Sequence, residues 1–312
     1  MMKFSITIPA YKRVFLHEAI ASCLAQTYAD FELVIVDDDS PENLFAVVKE
    51  FHDERIRYYR NEKNCGAIDV VDNWNKCLEY AEGDYIICMG DDDRLLPNYL
   101  TEYVNLMEKY PNLGVYHAWT ELIDEHSNYV DIQSPRPEWE SEYSLLWNRW
   151  NGRNKQYIGD FCFNVKRLRE NGGFYKLPLA WSSDDITAVI AARKEGIANT
   201  QCVTFQYRVS LQTITNQGRY DVKVKAIDME RQWYKEFLQN SPNDEVDRKF
   251  YLSICKMFEC YFNKKIARTI GMDVQQNVFR IIHWFRVRKA FKLSGKMLLY
   301  SLCIGVKKGM LK

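Results

Sequence analysis

Two short apolar runs, Phe31 to Val36 and Tyr85 to Met89, each end in acid: Asp37-Asp38-Asp39 follows the first directly, and Asp91-Asp92-Asp93 follows the second after Gly90. Three adjacent carboxylates at the end of a buried strand repel one another, and ionising them all is unfavourable unless a cation or many hydrogen bonds compensate. A single acidic triplet is commonly a solvated turn or a helix cap. Two of them, 54 residues apart and each behind an apolar run, favour a fold that gathers strand ends at one ligand-binding edge.

The segments between them supply such a fold. Phe4 to Ile8 reads as a buried strand stopped by Pro9, and Phe15, Ala19, Ile20, Cys23 and Leu24 then share one helical face. Ile56 to Tyr59 reads as a strand, and Val71, Trp74, Leu78 and Ala81 step by three or four along a helix that Gly83 is expected to cap. The alternation predicts an α/β fold, a mostly parallel sheet with helices on both faces, in which ligands bind at the carboxyl ends of the strands. Those ends carry Pro9-Ala10-Tyr11-Lys12-Arg13 and the two acidic triplets.

From Gly114 to Ser210 the pattern reads as an extension of the same domain. It holds a strand from Val115 to Trp119, aromatic-rich loops with Trp139, Trp147 and Trp150, a Gly172-Gly173 turn, a helix near Ile186 to Ala192 and a strand near Val203 to Tyr207. After Arg219 the text becomes helical, with Phe250, Ile254, Met257 and Tyr261 at steps of four, three and four. The expected organisation is a nucleotide-binding and catalytic domain over 1–218 and a helical, basic C-terminal extension over 219–312.

Hard cations such as Mg²⁺ or Mn²⁺ take oxygen ligands, usually one or two carboxylates together with substrate phosphates and waters, and Asp91 to Asp93 suit that chemistry. Asn64-Cys65-Gly66 opens the helix that contains Asn73, where the positive end of the helix dipole can receive phosphate oxygens; a turn glycine with a capping Asn is the plainer reading. His117, on an apolar strand, is expected to be a satisfied core or surface histidine.

With these residues in place, the chain resembles the inverting family 2 glycosyltransferases of the GT-A fold, which use nucleotide sugars. Ser5 to Arg13 looks like the family's opening strand and loop, Gln26-Thr27-Tyr28 followed by Glu32 to Ser40 like its second block, and Ala81 to Pro97 like its D-x-D block. Gly172-Gly173-Phe174, Ser183-Asp184-Asp185 and Tyr207-Arg208 follow as its later landmarks, so the resemblance spans roughly residues 3 to 215. It implies that Pro9, Ala10, Tyr11 and Arg13 line the nucleotide pocket and that Asp38 accepts a hydrogen bond from the uracil ring nitrogen. Asn64, Gly66 and Asp91 are further nucleotide-side candidates.

Counted back from Pro97, the D-x-D register puts Gly90 at the first Asp and Asp92 at the second. Asp92 is then the expected metal ligand, with Asp93 or Asp91 supplying the missing carboxylate. Asp185 resembles the family's catalytic base and Asp184 stands where Glu is usual; a helix N-cap pair is the structural alternative. Ser210 stands where many relatives carry a late His.

The 42 Lys and Arg balance the 42 Asp and Glu, which gives no global signature of a nucleic-acid binder. The balance hides a split: from Tyr261 onward there are 12 basic residues against one acid, Asp273, so the tail is +11 and residues 1 to 260 are −11. Arg280 to Lys292 interleaves bases with bulky apolar residues, as a helix at an anionic membrane surface would, or as an aromatic face packing on the catalytic domain or on a second copy would. Nine scattered cysteines without a C-x-x-C pair suggest reduced thiols, and no apolar run has the length of a signal peptide or a membrane span. The expectation is an enzyme in the cytoplasm or peripheral at the inner membrane face, moving a hexose from a UDP-sugar to a saccharide or lipid-linked saccharide in bacterial surface polysaccharide synthesis. A catalytically idle sugar-nucleotide binder is the alternative; a receiver domain is only about 120 residues long, and no Gly-rich phosphate loop of a nucleotidyltransferase follows the first strand.

Overall fold

The structure, a computed structural model, describes residues 2–210 and 219–309. Strands β1 (Phe4–Ala10), β2 (Phe31–Asp37), β3 (Ile56–Arg60) and β4 (Tyr85–Cys88) alternate with helices α1 (Leu16–Leu24), α2 (Leu44–Val48) and α3 (Val70–Tyr80). Next come β5 (Arg94–Leu95), α4 (Tyr99–Lys109), β6 (Val115–Ile123), β7 (Tyr129–Ile132), β8 (Trp139–Glu140) and α5 (Glu142–Trp150). β9 (Phe161–Asn164), α6 (Val165–Glu170), α7 (Ser183–Ala192) and β10 (Ile197–Arg208) follow.

The strands form one sheet in the order β3-β2-β1-β4-β9-β6-β10-β5, with β7 on β6 and β8 on β10. The long pairings, β1 with β2 and β4, β2 with β3 and β6 with β10, are parallel; β9 runs antiparallel between β4 and β6, and the other antiparallel pairings are short. This is the expected α/β fold, a mostly parallel sheet with helices packed on it. β1 and β2 are buried almost end to end, as an interior parallel strand must be, and Phe4, Ile6, Ile8, Leu33 and Ile35 pack with Leu16, Ile20 and Tyr99 in the main core. β1, β2 and β4 therefore deliver their carboxyl ends, and the acids that follow, to one edge.

Several elements differ from the sequence expectation. β6 runs on to Ile123 and β10 starts at Ile197, because each lengthens by pairing with the other. Trp147 and Trp150 lie on α5 and not on a loop; Ser141 caps that helix by accepting from Ser144 N–H at 3.2 Å. Gly83 does not cap α3, which ends with Ala81 in extended conformation; a Cβ at Gly83 would come within 2.7 Å of the β1 backbone, so the glycine is there for close approach.

The chain divides into two compact units, Met1–Lys176 with Ser183–Thr213, and Leu177–Ser182 with Ile214–Lys312. The expected boundary after residue 218 falls at 211–218, outside the described residues. The second unit holds α8 (Tyr220–Phe237), α9 (Glu245–Gln276), α10 (Arg280–Val287) and α11 (Gly295–Gly309). α9 and α11 cross closely: a Cβ on Gly305 would lie 2.7 Å from Val274 and one on Gly271 2.8 Å from Ile304. No helix among the described residues is long and apolar enough to cross a membrane.

Candidate active site

The loops at the three strand ends are joined by hydrogen bonds. Asp38 N–H donates to the Ala10 carbonyl at 2.9 Å, and Ser40 Oγ donates to the Tyr11 carbonyl at 2.6 Å. Asp91 Oδ2 accepts from the backbone N–H of both Tyr11 and Lys12 at 2.7 Å, so Asp91 sets the path of the first loop. Pro9 is half-buried and Ala10 fully buried, while the Tyr11 ring is 43% exposed at the strand end. Arg13 donates its backbone N–H to Glu42 at 2.6 Å, and its exposed side chain borders a cavity of about 510 Å³ with His17, Glu42 and Glu50.

The first acidic triplet separates by role. Asp37 is fully buried and satisfied, accepting from Ser40 N–H (2.8 Å), the Tyr58 hydroxyl (2.5 Å) and Arg60 (3.1 Å), so it is a structural turn acid. Asp39, at φ +50°, pairs with Arg60. Asp38 is different: Oδ1 accepts from Asn61 Nδ2 (2.8 Å) and Cys65 N–H (3.0 Å), and Oδ2 takes no hydrogen bond among the described residues. Asn64 donates to the Asp38 carbonyl at 2.7 Å, so its amide supports Asp38. Gly66, at φ +78°, opens a 3-10 turn ahead of α3, a backbone state that suits glycine.

The second triplet is divided in the same way. Asp93 is buried and accepts the Arg208 backbone N–H at 2.9 Å; Arg208, itself fully buried, donates to the Asp92 carbonyl (2.7 Å), the Asp124 carbonyl (2.9 Å) and Glu18 (2.9 Å), with its guanidinium 4.2 Å from the centre of the Phe15 ring. Asp92 is half-buried, and its carboxylate makes no hydrogen bond among the described residues. A Cβ on Gly90 would lie 2.9 Å from Asp93 Oδ2 and 3.0 Å from Asp92 Oδ1, so these carboxylates occupy the space that an aspartate at 90 would need. Burial and the neighbouring Asp92 push the Asp91 carboxyl up to about 6 and that of Asp93 well above the usual range; burial raises Asp92 too, against the opposing charge of Lys12.

A divalent cation would relieve that repulsion. Among the described residues no three His, Cys, Asp or Glu side chains form a metal cage by themselves. Asp92 with Asp93 Oδ2 instead offers one or two oxygens, the donor set that Mg²⁺ or Mn²⁺ completes with substrate phosphates and water, and so the residues fit such an ion.

Asp184 and Asp185 lie in the first turn of α7, and neither is its cap. Asp185 is buried, with Oδ1 accepting from Arg149 Nε (2.8 Å) and Gln156 Nε2 (2.7 Å), and Oδ2 from the second Arg149 nitrogen (3.1 Å). The Asp184 carboxyl accepts the Asp185 backbone N–H and has no side-chain donor among the described residues, and desolvation together with Asp185 pushes it up to about 8. Tyr207 and Tyr157 stack with ring centres 3.6 Å apart, and the Tyr207 hydroxyl is pushed up by burial, then by Asp93, Tyr157, Asp92 and Asp184. One ring on β10 thus feels both the second acidic triplet and Asp184.

Sequence reasoning missed Arg149, Gln156, Asn61 and Glu18, because each meets its partner across 23 to 190 residues of chain. Arg208 was visible only as a landmark. His117 is buried as expected, with Nε2 3.4 Å from Asp160 Oδ2 and the Asn199 side chain beside it, and burial with nearby Arg136 holds the imidazole well below its usual range.

The model of glycosyl transferase family 2 matches residues 5–172, more than half of the chain and all of the strand-end loops. The chain belongs to this family. The glycosyltransferase is 27% identical over 251 residues to the Escherichia coli UDP-Glc:alpha-D-GlcNAc-diphosphoundecaprenol beta-1,3-glucosyltransferase WfgD, covering 80% of this chain and 90% of that one. It is 33% identical over 132 residues, 41% of each chain, to the Campylobacter jejuni GalNAc(5)-diNAcBac-PP-undecaprenol beta-1,3-glucosyltransferase. Among solved structures, S. aureus TarS 1-349 in complex with UDP-GlcNAc superposes with a TM-score of 0.64 at 14% identity over 100% of this chain and 93% of that one, which is a likeness of fold.

Proposed function

We propose that this family 2 glycosyltransferase moves a hexose from a UDP-sugar to the saccharide of a lipid diphosphate-linked acceptor, with inversion at the anomeric carbon. The observation that carries the reading is the pair of carboxylates without a side-chain hydrogen-bond donor among the described residues, Asp92 at the strand end and Asp184 on α7, in the same compact unit as the Tyr157–Tyr207 stack. The acceptor class follows by similarity: the WfgD name specifies a UDP-Glc donor and a saccharide-diphosphoundecaprenol acceptor, and the similarity covers most of both chains.

In this reading Tyr11 and Asp38 receive the uracil ring, Asp38 Oδ2 accepting the imide N–H, and Pro9 and Ala10 form the floor of the pocket. Arg13, Asn64, Gly66 and Asp91 shape the nucleotide side, Asp91 by holding the Tyr11 and Lys12 backbone. Asp92 and Asp93 hold Mg²⁺ or Mn²⁺, which supplies charge neutralisation for the diphosphate. The acceptor hydroxyl gives its proton to a carboxylate of the acidic pair while its oxygen forms a bond to the anomeric carbon; the bond from that carbon to the diphosphate breaks, and the electron pair leaves with UDP.

Family resemblance gives the base role to Asp185. Hydrogen-bond occupancy favours Asp184, whose carboxyl takes the Asp185 backbone N–H while that of Asp185 takes three side-chain donors from Arg149 and Gln156. The test is incubation with a panel of UDP-hexoses and a GlcNAc-diphosphate-lipid, following UDP release and the anomeric configuration of the product. Transfer with inversion supports the proposal; tight UDP binding with no transfer from any donor would support the idle-binder alternative.

A further inference from the structure

The basic tail divides into a buried and an exposed side. Trp284 of α10 is 1% exposed and donates its indole N–H to Asp273 at 2.8 Å, and Arg280 pairs with the same aspartate. Phe279, Ile282 and Phe285 are 73%, 49% and 37% exposed, and Arg286 beside them is exposed as well. At 100° per residue these four positions fall within about 120° of the helix surface, and Trp284 points about 160° away from their centre. Three large apolar side chains thus stand in water on one face, held there by a tryptophan anchored on the other.

The chain from α10 onward carries charge of one sign, while Asp221 and Asp228 of α8 line the groove on the side of His283 and Lys292. Arg286, Arg288, Lys289 and Lys292 are exposed, none has an acidic partner among the described residues, and no acid occurs between Asp273 and the last residue, Lys312. α11 repeats the pattern on a smaller scale, with Lys296, Leu299, Tyr300 and Cys303 exposed at helical spacing. A second copy of this face would bring cations against cations, which disfavours self-association. Protruding phenylalanine and isoleucine flanked by unpaired bases match an anionic bilayer surface, where apolar groups enter the acyl boundary and each base gains about 1 kcal/mol near the headgroups.

We propose that α10 docks this protein on anionic phospholipid, through Phe279, Ile282 and Phe285 as the inserted group and Arg286, Arg288 and Lys289 as the electrostatic group. The proposal stands on the helical unit alone and does not depend on the donor, the acceptor or the catalytic assignment.

The experiment is vesicle flotation of the full chain with phosphatidylcholine alone and with 30% phosphatidylglycerol added (about, as a conventional fraction), at low and high salt. Binding is expected with the anionic vesicles only and should weaken with salt. R286E/K289E should reduce partition at least fivefold per cation replaced, and F279S/I282S/F285S should reduce it at low salt as well. Unchanged melting temperature and UDP binding in both variants show that the fold is retained. Equal binding to neutral vesicles, full binding by F279S/I282S/F285S, concentration-dependent dimerisation lost on these substitutions, or preferential capture of nucleic acid would each overturn the proposal.

Discussion

Arg149 holds Asp185 with two nitrogens, at 2.8 and 3.1 Å, so that α5 and the first turn of α7 are joined by a fork that occupies both oxygens of one acid and neither of its neighbour, Asp184. The residue that resembles the family's base is therefore the better-held member of the pair. Asp184→Asn is expected to lower kcat by about 10² to 10⁴ with UDP affinity unchanged. Asp185→Asn should lower the melting temperature as well as the rate, because it leaves the Arg149 charge without its partner. Steady-state kinetics beside calorimetry separates the two; an Asp184→Asn enzyme with full kcat would return the base role to Asp185.

The pH dependence follows from the Asp184 carboxyl, which sits at about 8 when folded and in the ordinary carboxylate range when unfolded. The base must be ionised, so kcat/KM should rise with pH with a midpoint near 8 and level off above it, and Asp184→Asn should abolish that limb. The folded state binds the extra proton between the two pKa values, so this group makes stability fall as pH rises from about 4 to 8. Melting temperatures of wild type and Asp184→Asn across that window check the sign: the difference should grow toward pH 8 in favour of the variant.

Metal dependence should reside in Asp92. Asp92→Ala is expected to remove any stimulation of UDP binding by Mn²⁺, with little change in melting temperature, since its carboxylate holds nothing else among the described residues. Asp93→Ala should cost stability too, because it frees the Arg208 backbone N–H. Titration calorimetry with and without Mn²⁺ distinguishes them; identical loss in both would argue that the triplet acts only through the fold.

Base selectivity should reside in Asp38. Asp38→Ala removes an acceptor for the uracil N–H and also releases Asn61 and Cys65, so UDP affinity is expected to fall about tenfold or more while GDP affinity changes little. Competition binding with UDP and GDP reads this directly.

Arg208→Met should destabilise the first unit by about 3 kcal/mol or more, because Arg208 is buried and its loss strands the Asp124 and Asp92 carbonyls as well as Glu18. Denaturant unfolding measures it. A change below about 0.5 kcal/mol, the scale of an ordinary surface substitution, would contradict the structural role.

The strands and helices of the first hundred residues were readable because local periodicity and tertiary burial agree there: an interior parallel strand is apolar at every position, and β1 and β2 are. Trp147 and Trp150 were misplaced onto loops because a short helix rich in aromatics has little periodicity to show before its partners are known. The acids were readable as a group and not as individuals. Asp37, Asp38 and Asp39 are chemically identical in the chain, and only Tyr58, Asn61 and Arg60, arriving from β3 and the loop after it, make one a turn acid, one an acid held on a single oxygen and one a surface ion pair.

From the sequence alone came the α/β alternation, the edge to which the acidic triplets run and the resemblance to family 2, since each depends on residue order within a few turns or strands. The tertiary structure decided which carboxylates are occupied. Hydrogen-bond partners from distant segments, Arg149 for Asp185, Arg208 for Asp93 and Tyr11 and Lys12 for Asp91, hold some carboxylates and leave Asp92 and Asp184 without a side-chain donor among the described residues. A carboxylate's chemistry depends on what already touches it, and those contacts exist only once the chain has folded.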